Sequence, residues 1–582
     1  IYCGLEETGR VERGGEDDPY QVVINGENFH ALESMLYCYE GKVDCIYIDP
    51  PYNTGAKDWK YNNNYVSGDD AYRHSKWLTF MEDRLRLAKK LLNPEDSVLI
   101  CTIDEKEYLR LGLLLNQVFP GNRIQMVSTI NNPAGVSRDN EFARTDEYIF
   151  FVQLGNSKVA RLPLSDEWRA NPKDKRTTRM MWSMLIRTGT HTLRKDSENQ
   201  FYPIFVMKDG SRIHSVGEPY FGANRDEVVA PDNTVAIWPI RSNGDEGNWQ
   251  VSGANLRELI NKGYVRLGRF SERGMSVTYL KKGEQKKVET GVYKITGHRA
   301  DGSIVSDTEN RSIIPGTAWK IPSHDASRNG SNLIRTMTNR PFPYPKSLYA
   351  VEDSLRFFVS EKPNALILDF FSGSGTTAHA VMRLNHQDGG HRRCICVTNN
   401  EVSADEAKAM TKRGLRAGDE EWEQYGIARY NTIPRITAAI TGITPGGEPI
   451  KGDYKFTDEF PMADGFEENA IFYDLTYLEP SVVSADLAFD EIAPLLWLRS
   501  GSVGPIVMHG DTYEVTDAYG VLFDYTCSAE FIKECHERDV DHSFVVTDID
   551  ANYRRMCSEF RGKDVAQLYK SYLRSFEIGA DR

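Results

Sequence analysis

The sequence predicts a mixed α/β fold built around a doubly wound sheet. In two parts of the chain, residues 43–153 and 366–442, short apolar runs alternate with longer runs of helical period, which is the pattern of β-α-β units with parallel strands. One of the apolar runs leads into a Gly-x-Gly turn that opens a helix. The 582 residues are 40% hydrophobic and 26% charged, so the chain can form several globular domains.

The first part contains strands and helices in a regular order. Its predicted elements are a buried strand at residues 43–48, a helix from Trp77 to Leu92, a strand at 97–103, a helix through Leu115, and strands near 126–130 and 148–152. The helix from Trp77 carries apolar residues at helical spacing, and Asn93-Pro94 ends it. This alternation predicts parallel strands joined by helices.

The middle of the chain has a different composition. Residues 162–341 are rich in Gly, Asn, Arg and Trp, with β-like pieces at Val277–Leu280 and Gly291–Ile295, so we expect an inserted β-containing domain. Residues 444–449 are a Pro/Gly breaker cluster, after which alternating runs predict a small α/β domain. The expected division is a first half of the sheet core (1–160), an insertion (161–340), a second half of the core (341–443) and a C-terminal domain (450–582).

Charge is distributed unevenly along the chain. The net charge is −14, and residues 451–582 hold 12 basic and 26 acidic residues, so the first 450 residues are neutral overall. Residues 262–299 hold ten basic residues against three glutamates. Alone, this strip reads as a solvated surface, whereas beside the motifs described below it becomes a candidate for phosphate contacts.

Several classes of protein are not expected from the sequence. No apolar run approaches the roughly 18 residues needed to cross a bilayer, and the charged residues 1–18 lack a signal-peptide core. The nine cysteines include no Cys-x-x-Cys pair, and the 12 histidines form no cluster with ligand spacing. We therefore expect a cytoplasmic protein in a reduced compartment, without a metal site.

The first motif with chemical content is Asp49-Pro50-Pro51-Tyr52, which directly follows a predicted buried strand. Two prolines fix the backbone, and open α/β sheets bind ligands at the carboxyl ends of their strands. Asp49 and the Pro50 carbonyl can accept the two N–H bonds of an exocyclic amine, while Tyr52 can stack on a flat ring. A rigid turn without a ligand is the alternative for this motif taken alone.

The second motif follows the apolar run 366–368. It consists of Asp369, Phe370, Phe371, Ser372, Gly373, Ser374, Gly375, Thr376 and Thr377, and it opens a helix. Its glycines allow backbone N–H groups to approach an anionic ligand. The third glycine of a nicotinamide-binding fingerprint is absent, because position 378 is Ala, and no Gly-Lys-Ser/Thr of a Walker A loop follows.

Together, the two motifs resemble those of the DNA adenine-N6 methyltransferases, and more narrowly those of the modification subunits of Type III restriction–modification systems. The catalytic motif precedes the cofactor motif, as in the circularly permuted β group, whose target-recognition domain lies between the two halves. The resemblance covers roughly residues 20–440 and implies a doubly wound, Rossmann-like methyltransferase sheet. It also implies S-adenosylmethionine (SAM) as cofactor and Asp49, Pro50, Pro51 and Tyr52 as the catalytic motif.

Three further stretches match the family and add cofactor-binding residues to the second motif. Asn28 lies in Gly26-Glu27-Asn28, where the family usually has Gly-Asp-Asn, so Glu27 departs from the pattern. Lys346 lies in a segment, residues 342–347, that resembles one packing against the cofactor. Glu401 stands where an acid often binds the cofactor ribose, although Asn399 and Asn400 before it are unusual.

The resemblance implies methylation of a flipped-out adenine in double-stranded DNA, within a restriction–modification or other phage-defence system of a prokaryote. The residues expected to contact DNA are Arg187, Arg194, Lys262, Arg266, Arg269, Arg273, Lys281 and Lys282. Cytosine-N4 methylation and a non-catalytic, SAM-binding specificity subunit are the alternatives. For the acidic C-terminal domain we expect dimerisation, or docking of a restriction, helicase or other defence subunit; the alternative is a solubilising appendage without partners.

Overall fold

Two compact units make up the protein. The structure is a computed structural model that describes residues 2–54, 56–61, 64–138, 140–164, 166–168, 180, 182–187, 192–241, 244–271, 274–293, 295–306, 312–479 and 489–568. The first unit combines residues 1–160 with 316–582, and the second comprises residues 161–315. The second unit therefore lies within the predicted insertion, which was placed at 161–340.

The first unit is built on one large, mostly parallel sheet. Among the described residues its strands are β1 (Tyr2–Glu12), β2 (Tyr20–Asn25), β3 (Cys45–Ile48), β4 (Asp96–Ile103), β5 (Arg123–Ile130), β6 (Asp146–Gly155), β7 (Ala318–Trp319), β8 (Leu366–Asp369), β9 (Arg393–Thr398) and β10 (Asn469–Leu478). Their order across the sheet is β1-β10-β2-β9-β8-β3-β4-β6-β5-β7. The six consecutive strands β10, β2, β9, β8, β3 and β4 run parallel to one another, whereas β1 and β6 run antiparallel to their neighbours.

Helices cover this sheet and extend beyond it. The α-helices of the first unit are Asn28–Tyr39, Arg73–Leu91, Tyr108–Val118, Asn332–Thr338, Leu348–Val359, Thr376–Asp388, Ala404–Lys412, Glu420–Glu423, Ile433–Thr441, Phe489–Arg499, Ser528–Glu537 and Asp550–Glu559. Ile46 and Ile48 of β3 belong to the same apolar core as residues of the helix Asn28–Tyr39. Cys45 and Tyr47, which alternate with them along the strand, are also buried. The sheet is thus buried on both faces, and the predicted mixed α/β fold with a large central sheet is confirmed.

The predicted boundary at residue 340 is wrong for the compact units. The β7 strand pairs in parallel with β5 at one edge of the large sheet, and the helix Asn332–Thr338 packs against Ile433–Thr441. Residues 316–340 therefore belong to the sheet-containing unit. Their short, polar sequence carries no periodic signal, so the sequence could not show this membership.

The acidic segment after residue 450 is not separate from the sheet-containing unit. The strand β10 lies between β1 and β2, so it is an integral strand of the large sheet. Beyond it, the strands Tyr513–Val515, Tyr519–Leu522, His542–Val545 and Asp564–Gln567 form a four-stranded sheet whose last three strands are parallel. This part is α/β, and the prediction of one independent domain at 450–582 needs correction for the residues that include β10.

The second unit is β-rich and has its own apolar core. Its strands are Leu162–Pro163, Trp182–Met184, Ile204–Met207, Ile213–Val216, Thr234–Ile237, Val265–Ser271, Gly274–Leu280, Ile295–His298, Ile304–Ser306 and Ser312–Ile313, and its α-helices are Gly253–Asn261 and Lys282–Glu289. The predicted β-like piece Val277–Leu280 lies within a strand, whereas Gly291–Ile295 reaches only the first residue of one.

The first unit also contains two short hairpins. They pair Ala56–Tyr61 with Asn64–Ser67 and Val136–Arg138 with Glu141–Arg144. Among the helices described, none combines the length and apolar character required to cross a membrane.

Candidate functional site

The two sequence motifs meet at one edge of the large sheet. Strands β3 and β8 are neighbours and run parallel, with Cys45 opposite Ile367 and Ile46 opposite Leu368. Asp49 directly follows β3, and Asp369 is the last residue of β8. The carboxyl ends of parallel strands share an edge of the sheet, so residues 320 positions apart in sequence are brought together.

Asp49 lies at the centre of a network of polar side chains. Its Oδ1 accepts a hydrogen bond of 2.6 Å from Thr102 Oγ1, and Lys346 Nζ lies 3.2 Å from the same oxygen. Lys346 Nζ also donates to Glu147 Oε2 at 2.8 Å and to the Tyr52 hydroxyl. We call these residues, Asp49, Tyr52, Thr102, Glu147 and Lys346, the carboxylate cluster.

Glu147 holds two members of this cluster through separate oxygens. Its Oε1 accepts from the Tyr52 hydroxyl at 2.8 Å, while Oε2 pairs with Lys346. The ammonium of Lys346 lies 4.8 Å from the centre of the Tyr52 ring. Glu147 therefore fixes both the aromatic ring and the cation that face Asp49.

Burial dominates the electrostatics of the carboxylate cluster. Burial raises the pKa of Asp49, and the nearby Glu147 carboxylate raises it further, whereas the Lys346 ammonium and the Thr102 hydroxyl lower it. Burial lowers the pKa of Lys346, but the charges of Asp49 and Glu147 outweigh this effect, so its pKa is raised overall. The cluster thus holds a lysine cation between two carboxyl groups, one of which has a raised pKa.

The rest of the first motif forms a rigid loop. The Pro51 carbonyl accepts a 2.7 Å hydrogen bond from the buried Trp77 Nε1. Asn53 has a left-handed backbone with φ of 55° and donates to Glu107 Oε1 at 2.6 Å. Anchoring on both sides of Tyr52 explains how the short motif holds its ring at the sheet edge.

The second motif forms a tight turn between β8 and the helix Thr376–Asp388. Asp369 Oδ1 accepts from the Phe371 backbone N–H at 3.0 Å, and its Oδ2 accepts from Thr377 Oγ1 at 2.5 Å. Gly375, with φ of 76°, has the left-handed backbone that a residue with a Cβ rarely adopts. A Cβ there would also lie only 3.2 Å from Thr432 Cγ2. Burial raises the pKa of Asp369 to about 7.

The remaining predicted cofactor residues lie around this turn or in the carboxylate cluster. Asn28 Nδ2 donates to the Phe370 carbonyl at 2.8 Å, and its Oδ1 accepts from Arg84 Nε at 2.6 Å. Glu401 follows β9, the neighbour of β8, and is half-buried. Lys346, which the sequence predicts to bind cofactor, contacts Asp49.

Glu27, which departs from the family pattern, has a structural contact of its own. Its carboxylate caps the helix Asn28–Tyr39 by accepting from the His30 backbone N–H at 3.1 Å, and it pairs with Arg84 at 2.5 Å. The first contact is within the helix start and the second comes from the helix Arg73–Leu91, so the side chain is already occupied.

The predicted DNA-contacting residues of the second unit fall into two groups. Lys262, Lys281 and Lys282 are exposed, and Lys262 forms a 3.7 Å ion pair with Glu289. Arg194, by contrast, pairs with Glu246 at 2.8 Å and donates to two backbone carbonyls, Tyr220 and Gly222. The Arg194 guanidinium is therefore engaged within the unit.

Two further arginines of this group make internal contacts. Arg187 donates to Gln200 Oε1 at 3.1 Å. Arg266 lies 4.0 Å over the Trp182 ring and donates to the Ile304 carbonyl at 3.0 Å. Arg273 and the side chain of Arg269 lie outside the described residues.

Sequence reasoning missed Thr102 and Glu147. Thr102 lies on β4, the neighbour of β3 in the sheet, and Glu147 lies on β6, which is the next strand beyond β4. The available signal was a polar residue near the end of an otherwise apolar run, but their convergence on Asp49 depends on strand pairing.

Comparison with known proteins gives a consistent set of relatives. A family model described as DNA methylase matches residues 43–409. The chain is 29% identical over 412 residues to the Type III restriction-modification enzyme EcoPI Mod subunit of Escherichia phage P1, covering 66% of this chain and 58% of that protein. It is 28% identical over 423 residues to the Type II methyltransferase M.KpnI of Klebsiella pneumoniae, covering 72% of this chain and 88% of that protein. The chain thus spans less than two thirds of the length of the first of these relatives.

Proposed function

Because the chain belongs to the DNA methylase family, we propose that it transfers a methyl group from S-adenosylmethionine to the exocyclic N6 amine of adenine in double-stranded DNA. The observation that carries this proposal is the partly buried Asp49 carboxyl group, which follows a strand adjacent and parallel to the one that leads into the glycine turn. Asp49 and the Pro50 carbonyl supply two acceptors for one amine, and the Tyr52 ring supplies a stacking surface. In this proposal, the order of the two motifs reflects a circularly permuted methyltransferase core.

The residues of the glycine turn fit an adenosyl cofactor with an anionic end. The left-handed glycines allow a ligand close to the backbone, and the buried Ser372 Oγ has no hydrogen-bond partner in the described structure. When bound, SAM supplies an electrophilic methyl group on a sulfonium. Asp369, Asn28 and Glu401 lie on or beside this turn and would hold the cofactor there.

Asp49 has two tasks in the proposed reaction. By accepting N–H bonds from the target amine, it keeps the nitrogen lone pair available for attack on the methyl group. When the N–C bond forms and the C–S bond breaks, the nitrogen carries a surplus proton, which the Asp49 carboxylate can accept. Its raised pKa makes it a better proton acceptor than an exposed aspartate.

In the structure, Lys346 contacts the carboxylates of Asp49 and Glu147, and Tyr52 donates to Glu147. The target adenine has to be flipped out of the duplex to reach them, at a cost of a few kcal/mol in unstacking. Its amine would then replace the Lys346 contact to Asp49, while Glu147 retains the lysine. Glu147 thereby prevents the displaced ammonium from being left unpaired.

A direct test follows the methyl group. The protein is incubated with labelled SAM and unmethylated genomic DNA, and the nucleosides are then analysed. Label in N6-methyladenine would support the proposal, whereas label in N4-methylcytosine would retain the fold and overturn the choice of base. Absence of label despite measurable SAM binding, also with the neighbouring gene products added, would favour a non-catalytic specificity subunit.

Replacing Lys346 with Met should move the acid limb of the pH–activity profile to higher pH. Activity falls on the acid side as Asp49 becomes protonated. The Lys346 ammonium lowers the pKa of Asp49, so its removal raises that pKa, and a neighbouring charge at this distance accounts for about 1–3 pH units. The limb is measured from initial rates at saturating SAM between pH 5 and pH 9.

Lys362→Met provides the matched control for this profile. Lys362 also pairs with two carboxylates, Asp44 at 3.6 Å and Asp96 at 3.2 Å, but at the opposite end of β3. Its acid limb should stay where the wild-type limb lies. If the limb of Lys346→Met does not move either, the ammonium does not control Asp49 protonation.

Reversing the charge at Lys281 and Lys282 together should weaken DNA binding by the proposed recognition unit. Both side chains are exposed, so each can neutralise one phosphate. The slope of log K against log salt should fall by about 2, measured by fluorescence anisotropy on a duplex. Lys533→Glu, an exposed position of the acidic segment, should leave the slope unchanged, and an equal change in both proteins would contradict the assignment.

The similarity to a Type III modification subunit supports the proposal that this activity belongs to restriction–modification or another defence system. The acidic residues after 450 repel phosphate rather than attract it, so we propose that they serve a protein partner or a second copy of the chain. Size-exclusion chromatography with light scattering, with and without the neighbouring gene products, distinguishes the two.

A further inference from the structure

A buried arginine lies directly behind the glycine turn. Arg435 belongs to the helix Ile433–Thr441, which continues a π-helical turn at Ala428–Thr432. Its Nη1 donates to Ser374 Oγ at 2.9 Å and to Thr376 Oγ1 at 2.7 Å. The guanidinium therefore contacts the turn from the protein side.

The charge of Arg435 is not neutralised by a carboxylate among the described residues. The side chain is fully buried, its Nη2 has no hydrogen-bond partner there, and no acidic side chain of the described residues pairs with it. Its Nε faces His379 Nδ1 at 3.4 Å, and burial followed by the charge of Arg435 lowers the pKa of His379 well below its ordinary value. Burial lowers the pKa of Arg435 to about 10, which still leaves it protonated at neutral pH.

This arrangement turns the two hydroxyl groups into donors. Arg435 Nη1 occupies a lone pair on each oxygen, and the hydroxyls lie 3.2 Å apart, so one proton can bridge them. The other proton remains for an acceptor outside the pair. Thr376 also begins the helix Thr376–Asp388. The N-cap of this helix is Gly375, which has no side chain to accept from the first N–H groups. Hydroxyl, backbone N–H groups and guanidinium charge therefore favour one kind of ligand group, an anion.

We infer that Arg435 is a positioning residue that makes the glycine turn selective for an adenosyl ligand carrying an α-carboxylate. This inference rests on the proposed function, in which SAM occupies the turn. Arg435 acts through Ser374 and Thr376: it orients their hydroxyls and supplies the positive charge opposite the carboxylate. An adenosine ligand without the amino acid end gains nothing from it.

The test compares three ligands by isothermal titration calorimetry on the full-length protein. SAM and S-adenosylhomocysteine carry the amino acid end, whereas 5′-methylthioadenosine has the adenosine and the sulfur but lacks the carboxylate. Arg435→Met should raise Kd for the first two by about tenfold or more and change Kd for methylthioadenosine by less than about twofold. Arg435→Lys should have Kd values for SAM and S-adenosylhomocysteine between those of the wild type and of Arg435→Met. Lysine keeps the positive charge but lacks the planar guanidinium that donates to both hydroxyls.

Two further variants separate this role from a merely structural one. Thr432→Val removes the 2.6 Å hydrogen bond from Thr432 Oγ1 to the Gly373 carbonyl. It should therefore raise Kd for all three ligands by the same factor. Thr376→Val keeps Arg435 and should reproduce the carboxylate-selective loss, even if Arg435→Met fails to fold.

Equal losses for all three ligands in Arg435→Met and Thr376→Val would overturn the inference while leaving the proposed function intact. A wild-type protein that binds none of the ligands would instead overturn SAM as cofactor, and the inference with it.

Discussion

Asp49→Ala is expected to abolish methyl transfer while leaving SAM binding nearly unchanged. The carboxylate accepts the amine N–H bonds and then the surplus proton, and loss of such a group costs about 10³-fold in kcat. Asp49→Asn should be similarly inactive, because it keeps a side chain of the same shape beside Thr102 but cannot take the proton. The cofactor turn lies on the neighbouring strand and keeps its own hydrogen bonds, so Kd for SAM should stay within about threefold.

The measurement is single-turnover methylation of a duplex, with Kd for SAM determined in parallel. Asp96→Asn makes the same chemical change at a half-exposed position near the opposite end of the sheet, where Asp96 pairs with Lys362 at 3.2 Å. It should retain wild-type activity. Activity in Asp49→Ala close to that of Asp96→Asn would sink the catalytic assignment.

Glu352→Leu is expected to lower the free energy of unfolding strongly. Glu352 and Arg383 are almost fully buried, and Arg383 Nε lies 2.6 Å from Glu352 Oε2, joining the helices Leu348–Val359 and Thr376–Asp388. Removing the carboxylate leaves the guanidinium buried with, among the described residues, only the backbone carbonyls of Lys455 and Asp458 as acceptors. Such a change costs about 3–5 kcal/mol in free energy of unfolding.

Urea unfolding followed by circular dichroism measures this loss. Glu361→Leu, an exposed position just after the first of these helices, should change the free energy of unfolding by less than about 0.5 kcal/mol. The double variant Glu352→Leu/Arg383→Met should be more stable than Glu352→Leu alone, because no buried charge is left without a partner. If the double variant is the less stable of the two, an unpaired guanidinium is not the cause.

The central strands of the sheet could be predicted because their signal is local. Residues 45–48 and 366–368 are apolar on both faces and are followed by the two motifs, and a single chain segment displays this pattern. The strand β1 has no such signal, since four of the eleven residues in its sequence, Tyr-Cys-Gly-Leu-Glu-Glu-Thr-Gly-Arg-Val-Glu, are charged. It pairs antiparallel with β10, whose residues lie more than 450 positions further along the chain.

The candidate site shows the same division between local and distant information. Both motifs were recognisable as segments, and their chemistry followed from the residue types. The contact between Lys346 and Asp49 joins residues almost 300 positions apart, and Glu147 reaches them only because β6 lies beside β4. The sequence predicts Lys346 at the cofactor, because it does not show the contact between the Lys346 ammonium and Asp49.

The position of β8 at the middle of the sheet also governs the order in which the chain can fold during synthesis. Strand β3 pairs with β4 on one side and with β8 on the other, and β2 pairs only with β9 and β10. At roughly 5–20 residues per second, the ribosome needs about 15–65 s to travel from residue 49 to residue 369. During this interval the nascent first half presents an unpaired apolar strand edge, while the intervening unit can already fold. Chains that terminate early are therefore expected to aggregate or to need a chaperone, although they contain the complete first motif.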